Sequence, residues 1–470
     1  MNSRRVGILV AGCLAVILAA PAAASAQSPA AGAEVTFAKD IAPILQRSCQ
    51  QCHRPASVAP MSLLTYEQAR PWARSIKART QLRNKRGAMP PWFIEKDIGI
   101  QHFKDDISLS EEEIEKIAVW ADNGAPLGNP ADLPPPLQFA GEDEWTIGDP
   151  DLIIESPEIV VPASAPDKWT SLGTVPIGLD VDRYVAAVEV KEINDVPKDQ
   201  SSNTVGGRYV FHHMTYQTIV PDAADGNTVQ RWPVHEVGRN ADVFPPEAGR
   251  LIEAGAHLNL DNAHLHANGR ETKARLRFAF KLHPEGYEPS LKYTSNVIGN
   301  GVDIDIKPMQ AGQELHAYKV LDEHTRIVLF EPHQHAPGTR MCLEAIWGHN
   351  VQQLTCAGYD HNWVKQYIYE DDYAPLLPKG TILHVIGWLD TTVANRNVAD
   401  PRNWSGGGRR SVANMFINIG QGIALSDEEF EREMAERRER LRLTKNDYQI
   451  GCPLCLAEFP SQQATANNDQ

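Results

Sequence analysis

The sequence predicts a mainly β fold: two consecutive jelly-roll-like β-sandwich domains preceded by a small all-α domain. Three observations predict it. Over residues 37–126 apolar side chains recur near the helical period around a Cys-x-x-Cys-His motif. From 145 to 425 the pattern changes to short alternating strands divided by Pro, Gly and Asn turns. Between them runs the stiff stretch Leu133-Pro-Pro-Pro-Leu137. A chain of 470 residues also exceeds one core and suits several domains of roughly 100–200 residues. The divisions read from the pattern are 1–26, 36–128, 129–144, 145–288, 289–425 and 426–470, with the break between the sandwiches in the apolar lull at 281–289.

Residues 1–26 read as a signal peptide: Arg4-Arg5, an apolar run from Val6 to Ala20, then Ala24-Ser25-Ala26 as a small-residue cleavage site. The run is short for a membrane span, and Val10-Ala-Gly-Cys13 resembles a lipoprotein acylation box only in mid-run. The mature chain is therefore expected in the periplasm. The net charge of −15 becomes −17 once Arg4 and Arg5 leave with a segment that carries no acid, which argues against nucleic acid as a partner. Leaving Cys13 aside, six cysteines fall into three pairs, Cys49/Cys52, Cys342/Cys356 and Cys452/Cys455, and an oxidising compartment favours disulfides.

The first pair has other work. Phe37, Ile41, Ile44 and Leu45 share one face of a short helix leading into Cys49-Gln-Gln-Cys52-His53. In that motif two thiols can form thioethers to a heme while the adjacent imidazole reaches the iron. Met89, within Arg86-Gly-Ala-Met-Pro-Pro-Trp92, is the candidate sixth ligand on a Pro-stiffened turn; Met61 is the competitor. Ser110-Glu-Glu-Glu113 is a capping box, followed by Ile114, Ile117, Ala118 and Ala121 on one face and Gly124 past the end. Together these residues resemble a cytochrome c domain. The resemblance implies covalently bound heme c held by Cys49, Cys52, His53 and Met89.

Alternation places strands at 184–190, 272–280, 325–330 and 381–388. Within this region imidazoles cluster. His212 and His213 are adjacent, so a regular strand would point them to opposite faces and only a bulge would aim both at one metal. His264 and His266 share a parity, and spacing alone does not choose between them as a third ligand. His257 reads as structural or exposed. His333 and His335 have the parity to grip one ion unaided. His349, His361 and His384 read as surface or strand residues, and Met415, on an alternating strand, reads as core on composition alone. Thioether and imidazole donors favour copper over zinc.

In order, a His-His pair, a histidine before Asn268-Gly269, His333-x-His335 and Met415 resemble the copper type II ascorbate-dependent monooxygenases, the peptidylglycine and dopamine hydroxylase family. The match spans 145–422. Phe330-Glu-Pro-His-Gln-His-Ala-Pro-Gly338, Tyr359-Asp-His-Asn-Trp363 and Leu377-Pro-Lys-Gly-Thr381 are similar to bacterial members carrying an N-terminal cytochrome. The resemblance implies two copper ions: one held by His212, His213 and His264, which stores and supplies an electron, and a catalytic one held by His333, His335 and Met415, where O2 reacts with a substrate C–H bond. His264 is preferred over His266 because the family's histidine stands five residues before a turn glycine, here Gly269. The implied partners are a small-molecule or peptide substrate, O2 and a periplasmic electron donor, with ascorbate as external reductant or the heme as relay. The alternative is a non-catalytic periplasmic electron-transfer or copper-binding protein. This chain departs from the pattern in the polar insertion 191–207, in Leu265 and His361 where relatives carry aromatics, and in Cys452-Pro-Leu-Cys455. Arg340, Arg409 and Arg410 are candidate anchors for an acidic substrate group.

Cys342 and Cys356 bracket a hairpin turning near Gly348-His-Asn350, where a disulfide would tie down the strand after His335. Ser426-Asp-Glu-Glu429 caps a charged helix to Leu443 with Phe430, Met434, Arg437 and Leu441 along one side, read as a clamp on the sandwich. Cys452/Cys455 reads as a small disulfide loop, and the tail from Ser461 is polar and expected to be disordered.

Overall fold

The computed structural model describes residues 34–55, 57–139, 141, 144–197, 205–221, 229–236, 241–408, 413–444 and 447–455. The signal peptide 1–26, much of the insertion before His212, Arg409, Arg410 and the tail from Ser461 lie outside the described residues.

The chain is mainly β, in antiparallel sheets. In Thr272–Leu282 every second side chain from Ala274 to Leu282 is buried, the signature of a strand with one face on a core. That strand lies beside Arg183–Asn194 at the centre of one sheet, while His257–Leu265 and Phe211–Ile219 are central in a second. Val188, Val190, Leu276 and Phe278 from one sheet meet Phe211, Met214, Leu258 and Leu260 from the other in a shared core. Each such side chain contributes about 1.5–3 kcal/mol on full burial.

The next strand, Lys292–Asn300, belongs to a different pair of sheets. In one, Phe416–Leu425 runs between Lys292–Asn300 and His324–Phe330; in the other, Gly338–Trp347 runs between Asn350–Gly358 and Ile382–Leu389. Phe330, Phe416 and Tyr367 pack against Met341, Leu343 and Val385 between them. The hairpin disulfide is formed: Cys342 and Cys356 are directly opposed on their strands with Cα atoms 4.1 Å apart.

The N-terminal unit carries the helices Ala42–Ser48, Ala73–Thr80 and Glu111–Asp122. The last begins with the expected capping box, Ser110 Oγ accepting from Glu113 N and Glu113 Oε2 accepting from Ser110 N, and is followed by Gly124 at φ +81°. Ile114, Ile117 and Trp120 close on Phe37, Ile41 and Leu45. The sequence reading of 36–128 as all-α needs correction. Ile94–Gly99 is a strand, paired antiparallel with Asn350–Gly358 on the edge of the second sandwich. The physical reason is apolar content that the helices have no room for: Trp92, Ile94, Ile100 and Phe103 are buried in the second sandwich's core, and the strand caps an edge whose backbone groups would otherwise be unpaired.

The helix Asp427–Arg440 also starts in a capping box, from Ser426 and Glu429. Phe430 and Met434 pack with Leu376, Ile423 and Leu425, and the disulfide-bonded Cys452 and Cys455 join the same cluster. Buried Arg437 donates to the carbonyls of Ala374 and Asp371, at 2.6 and 3.1 Å, which fixes the helix to the sandwich. Among the described residues no helix is long and apolar enough to cross a membrane.

Candidate metal centre

The first histidine group sits where Phe211–Ile219 pairs with His257–Leu265. Glu192 fixes the entry: its carboxylate accepts from Val210 N and Phe211 N at 3.1 and 2.9 Å, and burial pushes its pKa up to about 7. The register then slips. His264 opposes His213 but Leu265 opposes Phe211, so His212 is an extra residue without a cross-strand partner. This is the bulge that adjacent ligands require. As a result, one ring nitrogen from each of His212, His213 and His264 lies within 4.8 Å of the others. His212 Nδ1 stands 3.0 Å from His213 Nδ1, and His264 Nδ1 3.1 Å from His213 Nε2. Trp169 stacks on His264 with centroids 4.5 Å apart, walling the group from behind.

His266 is adjacent rather than central. Its Nε2 is 3.2 Å from His264 Nε2 and 3.3 Å from Asp167 Oδ2, so it forms a second group with His264 and Asp167.

The opposite wall comes from the second sandwich. The short strand Pro332–Gln334 pairs with Phe416–Leu425, setting His333 opposite Ile417, and His335 N donates to Met415 O at 3.2 Å. The rings of His333 and His335 are 5.6 Å apart. His335 Nδ1 lies 3.2 Å from the Ala413 carbonyl; a carbonyl only accepts, so the proton is on Nδ1 and Nε2 is left for a metal. His333, His335 and Met415 line the same cavity of about 1330 Å³ as His213, Trp232 and Arg250.

The two groups face each other at close range. His213 and His333 have centroids 6.3 Å apart, and His361 stands between the sandwiches, 6.3 Å from His212 and 6.4 Å from His335. Burial, then the neighbouring imidazoles, lowers these pKa values: His212 to about 2, His335 to about 3 and His264 to about 4, with His213 and His361 also lowered. At neutral pH the rings are neutral, the form that binds a metal. The donor set therefore fits copper: clustered neutral imidazoles on one wall, two imidazoles and a thioether on the other.

Sequence reasoning reads His361 as a surface or strand residue and does not single out Glu236 or Arg250. For His361 the signal was present in its histidine-rich surroundings. Glu236 and Arg250 carry no local motif. Arg250 is buried, packs over Trp232, Phe244 and Tyr293, and donates from Nη2 to the Arg231 carbonyl. The anchor candidate Arg340 is engaged by Glu95, at 2.5 and 2.9 Å, and lies over Trp388. His384 is bound to Glu344 at 2.8 Å, and His349 is exposed, so neither joins the centre.

In the N-terminal unit Cys49 and Cys52 are free thiols. His53 Nδ1 lies 3.2 Å from the Met61 carbonyl, which places its proton there and leaves Nε2 for an iron. Two free thiols and an available imidazole nitrogen are the groups that covalent heme attachment uses. Met89 is 42% exposed. It lines a cavity of about 280 Å³ with Thr80, Trp92 and Ile114, and Cys49, Cys52 and His53 do not line it. The loop before Met89 reaches the second sandwich: Gly87 N donates to Asp360 Oδ2 at 3.0 Å, next to His361, and Arg86 Nη1 to Asn395 Oδ1 at 2.5 Å.

No family model and no curated protein matches the chain. Among solved structures it is similar to the N-terminal CBM22-1-CBM22-2 tandem domain of Xyn10C from Paenibacillus barcinonensis, at 8% identity over 62% of this chain and 97% of that one, with a TM-score of 0.17. It is also similar to the PBSX exported protein XepA, at 8% identity over 54% and 100% with a TM-score of 0.12. A third is infectious bursal disease virus, Gx strain, at 8% identity over 66% and 93% with a TM-score of 0.14. Likenesses this weak carry no argument about fold or function.

Proposed function

We propose that this protein is a periplasmic copper-dependent monooxygenase that hydroxylates a substrate C–H bond with O2, fed with electrons through its own c-type heme domain. One observation carries the reading: a three-imidazole group on one sandwich faces a His, His, Met group on the other, with His213, His333, His335 and Met415 lining one cavity. His212, His213 and His264 would hold one copper, and His333, His335 and Met415 the other. Copper in such sites supplies one-electron transfer and O2 activation.

The chain's own residues do the remainder. Hydroxylation places one oxygen atom in the C–H bond and releases the other as water, which takes two electrons and two protons. Two one-electron sites that approach each other at His213 and His333 match that demand. The Met415 thioether favours the cuprous state on the wall where O2 would react. The cavity holds the substrate against that wall, with Trp232 and Tyr293 offering apolar surface. Cys49, Cys52 and His53 would attach heme, with Met89 or Met61 as the sixth ligand, and the contact from Gly87 to Asp360 brings the Met89 loop against the residue next to His361. The two disulfides accord with an oxidising compartment.

Metal analysis of the purified full chain tests this reading. Two coppers and one heme iron per chain, with O2 uptake on adding reductant and a substrate library, are expected. A heme with one copper or none, and no O2 uptake, would instead support an electron-transfer or copper-binding protein.

A further inference from the structure

Glu236 is a buried acid. It lies on the two-residue strand His235–Glu236 of the first sandwich, opposite His213. Its side chain nevertheless reaches the second sandwich, where Oε1 stands 3.8 Å from His333 Nδ1. Glu236 is 4% exposed, and neither of its carboxylate oxygens has a hydrogen-bond partner among the described residues. His333 Nδ1 is buried and unpartnered in the same way. An unsatisfied buried polar group is destabilising, and more so when charged. Here an acceptor and a ring nitrogen that can donate face each other, about 1 Å beyond the usual hydrogen-bond length.

The other ligand histidines show what that nitrogen lacks. His335 Nδ1 is held by the Ala413 carbonyl and His53 Nδ1 by the Met61 carbonyl, each leaving Nε2 free. Among the described residues no backbone carbonyl takes that place at His333; Glu236 does. A carboxylate on the far nitrogen of a metal-binding imidazole fixes the tautomer, holds the ring plane and raises the basicity of the ligating nitrogen.

We propose that Glu236 is the positioning carboxylate of His333: it accepts Nδ1–H, turns Nε2 to the metal, and makes the second site complete only when the first sandwich is docked against it. The identity of the metal rests on the copper reading; the hydrogen bond does not. Direct ligation by Glu236 is the competing role. It would require His333 to bind through Nδ1 and would put a hard oxygen beside the soft Met415 sulfur.

The test uses the full chain with 15N-labelled histidine. In the metal-free wild type, long-range proton–nitrogen spectra should show His333 protonated on Nδ1, and Glu236→Ala should lose that signature while the His335 signals stay in place. On titration with copper, Glu236→Ala should bind the second-site ion about 10–100-fold more weakly, with first-site affinity unchanged. Glu236→Gln, whose amide oxygen still accepts, should fall between. The proposal is overturned if wild-type His333 carries its proton on Nε2, if the alanine variant keeps both affinities, if both sites weaken together, or if copper spectra show an oxygen ligand that the Glu236 variants lose. A wild type that binds no copper sinks the proposed function, while the metal-free tautomer still decides the role of Glu236.

Discussion

At the scale of single residues the centre is built from donors whose parity was legible and from neighbours that were not. His333 lies on the short strand Pro332–Gln334 and His335 directly after it, and the need for a bulge at His212-His213 follows from strand parity; the slip in register at His212 meets it. His361 and Glu236 reach the centre through the docking of two sandwiches, which no local pattern encodes. Met415 lines the cavity with the two histidines rather than lying in the core. Met415→Leu nearly conserves volume, so stability should change by less than about 1.5 kcal/mol, while cuprous affinity and O2 uptake should both fall; thermal melts alongside an oxygen electrode would show the split. Acid should unfold the metal-free protein early. The pKa values of His212, His335 and His264 are depressed from 6.5 to about 2, 3 and 4. The stability linked to them is present above pH 6.5 and is lost as pH falls towards the folded values, because the unfolded chain takes up the protons first. At pH 5 each imidazole removes up to about 2 kcal/mol. Denaturant midpoints that stay flat between pH 7 and pH 5 would count against neutral buried rings.

At the scale of elements, capping boxes and strand alternation were read from short-range chemistry and the structure carries both. Ile94–Gly99 was missed because Ile94-Glu-Lys-Asp-Ile-Gly99 lacks strict alternation; its burial comes from Trp92, Ile100 and Phe103 on either side. The turn after His335 closes with Gly338 N donating to His335 O at 2.8 Å, and a Cβ at Gly338 would overlap the side chain of Gln334, between the two histidines. Gly338→Ala should therefore cost about 1–3 kcal/mol of stability and weaken second-site copper while sparing the first. Copper titration of the variant checks this, and equal loss at both sites would argue against a local effect.

At the scale of the whole molecule three units are in contact. The N-terminal unit adds a strand to the second sandwich and is also tied to the first, where Arg208 Nη1 donates to Ser57 O at 3.2 Å. Its docking is tight at Gly358, where a Cβ would overlap the Asn84 carbonyl. Gly358→Ala should slow the proposed heme-to-copper electron transfer and leave any bound copper in place, as rapid-mixing absorbance would show. Order and composition announced three units, but not that the first lends a strand to the third. The proposed oxygen chemistry at the His333, His335 and Met415 wall is where the three would work together. The most direct measurement is a single turnover of the fully reduced, two-copper protein with isotopically labelled O2 and a substrate library. Label is expected in a hydroxylated product and is lost in Met415→Leu. Full copper occupancy with no O2 consumed and no labelled product would contradict it.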